Sequence, residues 1–204
     1  MATPTDHLTR YVNMAYKRLT TADKMWEVKQ RFYFPELEVV TSVNTTDGNQ
    51  YILTPSDCLV LRELYNTTSN VRLDWMSWPD YIGKTDRFTA ASETAPTLWH
   101  RRGTRIYLSP TPDAVYSINV NYKKRVTSLD GTTYNTTVIG EEWDEVILEI
   151  ATYIAWYELN QTDKAEVAKK NAREMIAEKI GVYAAEEQAR RERVRPDPTW
   201  NTRQ

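Results

Sequence analysis

The chain has a single cysteine, Cys58, so an intramolecular disulfide framework and a cysteine-built zinc cage are both excluded. Histidine is almost as scarce. His7 and His100 fall on different predicted elements, without cysteine or carboxylate at metal spacing, and they read as a chance pair. There are only six glycines, none in a G-x-G-x-x-G or G-x-x-x-x-G-K arrangement, so no phosphate-cradling loop is expected. No stretch approaches eighteen consecutive apolar residues, and the start MATPTDHLTR lacks a basic-then-apolar leader pattern. The expectation is a protein with no membrane association, kept in a reducing cytoplasm until it is assembled. The four Asn-x-Thr triplets at Asn44, Asn66, Asn135 and Asn160 are then by-products of a Thr- and Asn-rich composition.

A basic excess is missing too. The 26 Lys and Arg are outweighed by 28 Asp and Glu, for a formal charge of −2. Proteins that grip nucleic acid by its phosphates draw affinity from counterion release and usually carry surplus cations. A surface that DNA merely slides past needs none.

Aromatics, by contrast, are plentiful. Seven tryptophans and thirteen tyrosines fit either a core and loops that happen to use aromatics or interfaces with other proteins, and the surplus tips the balance slightly towards interfaces. A length of 204 residues suffices for one sizeable domain, or for a domain with an elaborate insertion.

The hydrophobic period changes twice along the chain. Leu8, Tyr11, Val12, Ala15 and Leu19 lie at helical spacing behind a cap at Thr5 or Asp6. A second helix is predicted from Thr20 or Thr21 until Pro35 stops it. From about residue 36 the period drops to two. Leu37, Val39, Thr41 and Val43 alternate, Asp47-Gly48 marks a turn, and Tyr51-Ile52-Leu53 resumes. Ser56 to Tyr65 fits either a short helix or a strand, whereas Val71, Leu73 and Trp75 alternate as a strand. A Thr-, Ser- and Ala-rich loop is expected at roughly 83–96, and a β-hairpin over 104–126 around Ser109-Pro110-Thr111-Pro112-Asp113.

Near residue 141 the helical period returns. Trp143, Val146, Ile147, Ile150, Ile154 and Tyr157 form one stripe. A further helix begins near Thr162-Asp163, with Ala165, Ala168, Ala172, Met175, Ile176, Ile180 and Tyr183 on one face and Gly181 as a place to bend or fray. The expected class is α+β: a helical bundle from residues 1–35 and 141–193, an antiparallel β-rich insertion over 36–140, and an extended C-terminal arm over 194–204.

Motifs for catalysis are weak. Glu36, Glu38 and Asp57 could be imagined as an acid pair for glycoside hydrolysis, but carboxylates are common and the pattern has almost no specificity. No catalytic residue, cofactor or metal is assigned. The C-terminal cations stand out more. From Lys164 to Arg195 nine Lys or Arg face six Glu, and Arg190, Arg191, Arg193 and Arg195 are concentrated. They could contact nucleic acid, complement a helix dipole in solvent, or seek an acidic groove on a partner. Trp200 follows Pro196 and Pro198 on a polar tail where nothing local can bury it, which favours a tail that orders on a partner.

The stretch RGTRIYLSPTPDAVYSINVNYKKR (102–125), followed by EEWDEVILEIATYIAWYELNQTDKAEVA (141–168), resembles the head-to-tail adaptor proteins of tailed bacteriophages. Leu-x-Trp and Trp-Pro-Asp-Tyr at 73–81 look like the same group, and the likeness spans roughly 65–190. It implies a structural virion protein at the head–tail junction, twelve copies of which form a ring beneath the portal protein. Such a ring would extend a channel through which DNA passes without sequence-specific binding, and would offer a platform to tail or nozzle proteins. The arm that reaches the portal would be Arg190, Arg191, Arg193, Val194, Arg195, Pro196, Pro198 and Trp200. Some adaptors cleave peptidoglycan; no matching acid pair is found here. A different tail-accessory or tail-completion protein, or a peptidoglycan hydrolase, are the competing readings.

Overall fold

A computed structural model describes residues 4–21, 34–88, 94–133 and 136–194. Within these the chain is α+β and divides into two compact units, one drawn from both ends of the chain and one from Pro35–Val126. The second helix expected between Thr20 and Pro35 lies outside the described residues over 22–33.

In the unit built from the chain ends, α1 (Pro4–Thr21) and α4 (Thr162–Val194) both pack against α3 (Asp144–Glu158). Helix α1 buries Ala15, Tyr16 and Leu19 at helical spacing. A short 3-10 turn, Glu141–Trp143, leads into α3, where Asp144 and Glu145 suit the positive end of the helix dipole. Val146, Ile147, Ile150, Ala151, Tyr153 and Ile154 are buried, but Tyr157, expected on the apolar stripe, is exposed at the helix end. Trp143 is fully buried, edge-on to Phe34 at 5.0 Å and stacked with Tyr183 at 6.2 Å. The Tyr183 hydroxyl donates to Glu142 at 2.6 Å and holds that carboxyl below its ordinary range. Asn160 carries a left-handed φ of 56° between α3 and α4, a conformation asparagine tolerates. Helix α4 buries Ala165, Ala168, Ala172, Ile176 and Ile180 and continues without a break through Gly181. Its small residues allow close approach to α3, and its 33 residues extend for about 50 Å.

The other unit is a curled sheet of seven strands in the order β1-β7-β3-β4-β5-β6-β2. The strands are β1 (Glu38–Asn44), β2 (Tyr51–Leu53), β3 (Cys58–Asn66), β4 (Val71–Trp75), β5 (Leu98–Arg102), β6 (Arg105–Ser109) and β7 (Ser117–Lys124). The curl wraps one core: Ile52, Leu64, Leu73, Trp99, Ile106 and Val120 come from six different strands and share it. The ambiguous stretch from Ser56 is a strand, and its end is fixed by a turn that Asn66 holds. The Asn66 side-chain carbonyl accepts the N–H groups of Thr68 and Ser69, so this buried asparagine has a structural task.

Two expectations are corrected. The predicted hairpin over 104–126 does not form: β6 pairs with β5 and β2, while β7 lies between β1 and β3. The intervening Ser-Pro-Thr-Pro-Asp segment is held by neighbouring loops instead, with Gly48 donating to Pro112 and Thr94 to Thr111. The hairpin that does exist joins β5 to β6 through Gly103-Thr104, where Gly103 has the positive φ such a two-residue turn needs. Second, Trp78–Phe88 form a helix, α2, which takes the first part of the expected loop. Ser77 caps it, accepting the Asp80 N–H and donating to the Asp80 carboxylate, and Pro79 sits in its first turn, where a missing N–H costs nothing. The alternation over Val71, Leu73 and Trp75 does form a strand, β4, in which Leu73 is buried and Trp75 is 62% exposed. The strand changes partner there, antiparallel to β3 through Leu73 and parallel to β5 from Asp74.

Candidate interaction surfaces

The outer face of β5, β6 and β2 carries an aromatic array. Strand alternation puts His100, Tyr107 and Tyr51 in one cross-strand row and Arg102, Arg105 and Leu53 in the next. Helix α2 lays Trp78 and Tyr81 over the first row. The Trp78 ring lies 5.6 Å from Tyr81, 5.2 Å from His100 and 5.6 Å from Tyr107. Tyr81 is buried and donates its hydroxyl to the Leu108 carbonyl at 3.0 Å, and burial pushes its phenol up to about 12. His100 is held through Nδ1, 2.8 Å from the Met76 carbonyl. The array fastens α2 to the sheet, and the hydroxyl and ring nitrogen that burial would otherwise strand are both satisfied.

Two guanidiniums flank it. Arg102 lies over Trp78 at 4.7 Å and Arg105 over Tyr51 at 4.3 Å. Both are exposed, and among the described residues neither has a carboxylate within ion-pair distance. Leu53 beside them is 63% exposed. Arg101, next in sequence, turns inward to the Leu59 carbonyl.

A different surface lies on α3 and α4. From Glu141 to Gln161 the chain carries Glu141, Glu142, Asp144, Glu145, Glu149 and Glu158 and no lysine or arginine. Glu158 pairs with Arg10 at 2.9 Å and Asp144 accepts from Thr137, whereas Glu141 and Glu145 are exposed with no cation partner among the described residues. Leu148, 62% exposed, follows one turn after Glu145. Farther along, Thr152 and Trp156 of α3 and Lys164 and Val167 of α4 line an open groove of about 380 Å³, with the Lys164 ammonium 4.4 Å from the Trp156 ring.

Two of the three carboxylates considered for catalysis have structural partners. Glu38 pairs with Arg62 at 3.3 Å, and Asp57 accepts the Tyr122 hydroxyl at 2.8 Å. Glu36 is exposed in the short 3-10 turn Pro35–Leu37. Among the described residues no cluster of His, Cys, Asp and Glu could hold a metal ion, and no helix is long and apolar enough to cross a membrane. Of the expected arm, Arg190, Arg191, Arg193 and Val194 belong to the last turns of α4. Arg195, Pro196, Pro198 and Trp200 lie outside the described residues. The sequence reasoning missed the aromatic array altogether, although Trp-Pro-Asp-Tyr after a serine was a helix-start signal that would have placed two of its rings one turn apart.

Comparison with known families places the chain. Residues 2–199 match the SU10 adaptor protein family. The chain belongs to that family. It is a structural protein of the phage head-to-tail adaptor type, and the match covers nearly its whole length, both units included. No curated protein matches it.

Proposed function

We propose that the chain assembles as a ring beneath the portal, joins the DNA-filled head to the tail, and extends the channel through which DNA leaves. The family match over residues 2–199 is the observation that carries this reading. Several physical features support it. The helical module, residues 1–35 and 141–193, is the ring-forming body, and the β-rich region, 36–140, is the docking surface for tail or nozzle proteins. Twelve copies is the number the adaptor likeness implies. A net charge of −2 suits a lumen along which DNA must slide without being held.

The arm that engages the portal is Arg190 to Trp200. Helix α4 continues to Val194, beyond the buried Ile180, and so includes Arg190, Arg191 and Arg193 of the arm. Prolines at 196 and 198 disfavour a helix beyond, and Trp200 supplies a large apolar anchor for a pocket on the partner.

Electron microscopy of assembled particles tests this directly. Density for the chain at the head–tail junction, in a closed ring, is expected; a position on the tail tip or fibres would overturn it. A chain shortened to residue 193 should keep its fold and lose portal binding.

A further inference from the structure

A ring of identical copies needs two different patches on each subunit that complement one another, because a patch matching itself yields only a closed pair. The two surfaces described above have that property. One is a row of Arg102, Arg105 and Leu53: two exposed cations without carboxylate partners among the described residues, beside an exposed leucine. The other is Glu141, Glu145 and Leu148 on the helix side: two exposed carboxylates without cation partners among the described residues, the second of them one turn before an exposed leucine. We propose that the arginine row of one copy docks on the Glu141–Leu148 surface of a second copy, and that repetition of this contact closes the ring. The proposal rests on the ring reading given above and names its interface.

The chemistry favours a protein partner over nucleic acid. Arg102 and Arg105 lie over the Trp78 and Tyr51 rings at 4.7 and 4.3 Å, so ring contacts already restrain both side chains and less entropy is lost when carboxylates arrive. Tryptophan and tyrosine beside two arginines are the residue types that protein hot spots favour, whereas phosphate binding would draw on a larger field of cations. Among acidic protein surfaces, the Glu141–Gln161 segment is the one stretch of this chain that carries six acids and no base. Every copy brings both halves, so no further component is required for closure.

Charge reversal tests the contact. Self-association of the full chain is followed by sedimentation velocity, alone and with the portal protein. R102E/R105E is expected to weaken it by about tenfold or more, and adding E141R/E145R to the same chain to restore it to within about threefold. Far-UV circular dichroism checks that each variant is folded. A second, independent measurement places cysteines at Arg105 and Glu145 in one chain; since Cys58 is buried, mild oxidation should give a ladder of covalent multimers. Self-association unchanged by reversal, or not rescued by the second pair, overturns the interface while leaving the ring intact. A wild-type chain that never self-associates, even on the portal, overturns the ring reading and the interface together. Loss of duplex DNA binding on reversal, with self-association untouched, assigns the arginines to DNA and overturns the proposal.

Discussion

The buried phenol oxygen of Tyr16 on α1 accepts the backbone N–H of Val138 at 2.9 Å, across 122 positions of sequence. Three residues earlier on the same helix, Asn13 exchanges two hydrogen bonds with the backbone of Leu129, donating at 2.8 Å and accepting at 2.6 Å. The first helix thereby grips the chain where it returns from the sheet, through side chains that meet main-chain groups rather than other side chains.

Removing the Tyr16 oxygen leaves the Val138 N–H without that acceptor. Tyr16→Phe should cost about 1–2 kcal/mol, and Asn13→Ala a similar amount, in urea unfolding. The two changes together should depart from additivity, because both loosen one connection.

Gly140 has a φ of 92°, and a Cβ there would collide with the Glu142 carboxylate. Gly140→Ala therefore meets backbone strain at the entry to α3, and the Glu142 carboxylate must swing aside from its bond to Tyr183. A loss of about 1–3 kcal/mol in the same unfolding measurement is expected. An unchanged midpoint would show that the turn accommodates a side chain.

Alkaline pH should weaken the sheet unit through Tyr81. Its folded phenol is pushed up to about 12 by burial first and Tyr107 second, while the unfolded value is near the ordinary 10. The unfolded chain therefore ionises first. The stabilising contribution is fully present below pH about 10 and is lost as pH rises towards 12, by about 2–3 kcal/mol in all. Tyr81→Phe should flatten that part of the stability–pH curve, at the expense of the Leu108 hydrogen bond.

Leu64 and Val40 offer a contrast on strands of the same sheet. Leu64 is fully buried in the shared core, so Leu64→Ala should cost about 2–5 kcal/mol. Val40 is 61% exposed, and Val40→Ser should change stability by no more than about 0.5 kcal/mol. Thermal melts of both variants check the pair.

Helices and most strands were legible because their periods differ: Ala165, Ala168, Ala172, Ile176 and Ile180 can share a face only in a helix, and Ile118, Val120 and Tyr122 only in a strand. Strand partners were not. Ser109 and Ser117 are close in sequence, which suggested a hairpin, but hydrogen-bond partners are chosen by the curl of the whole sheet, and no local pattern encodes that. Helix α2 was missed because its inner face is aromatic rather than aliphatic, so the aliphatic spacing that marked the other helices is absent. The arginine row was invisible for a related reason. Arg102 and Arg105 become cross-strand neighbours only once the Gly103 turn is recognised, and Leu53 joins them from fifty residues upstream.

The grip of Tyr16 on Val138 also sets a timetable for synthesis. At about 5–20 residues per second, a ribosome needs roughly 6–25 seconds to make the 122 intervening positions. Helix α1 emerges long before the backbone it holds and the helix it packs against. The sheet, by contrast, is complete as soon as β7 has left the tunnel. The nascent chain thus meets its own middle first and its own beginning last, and the α1 face bearing Ala15, Tyr16 and Leu19 is the surface a chaperone would find uncovered in the interval.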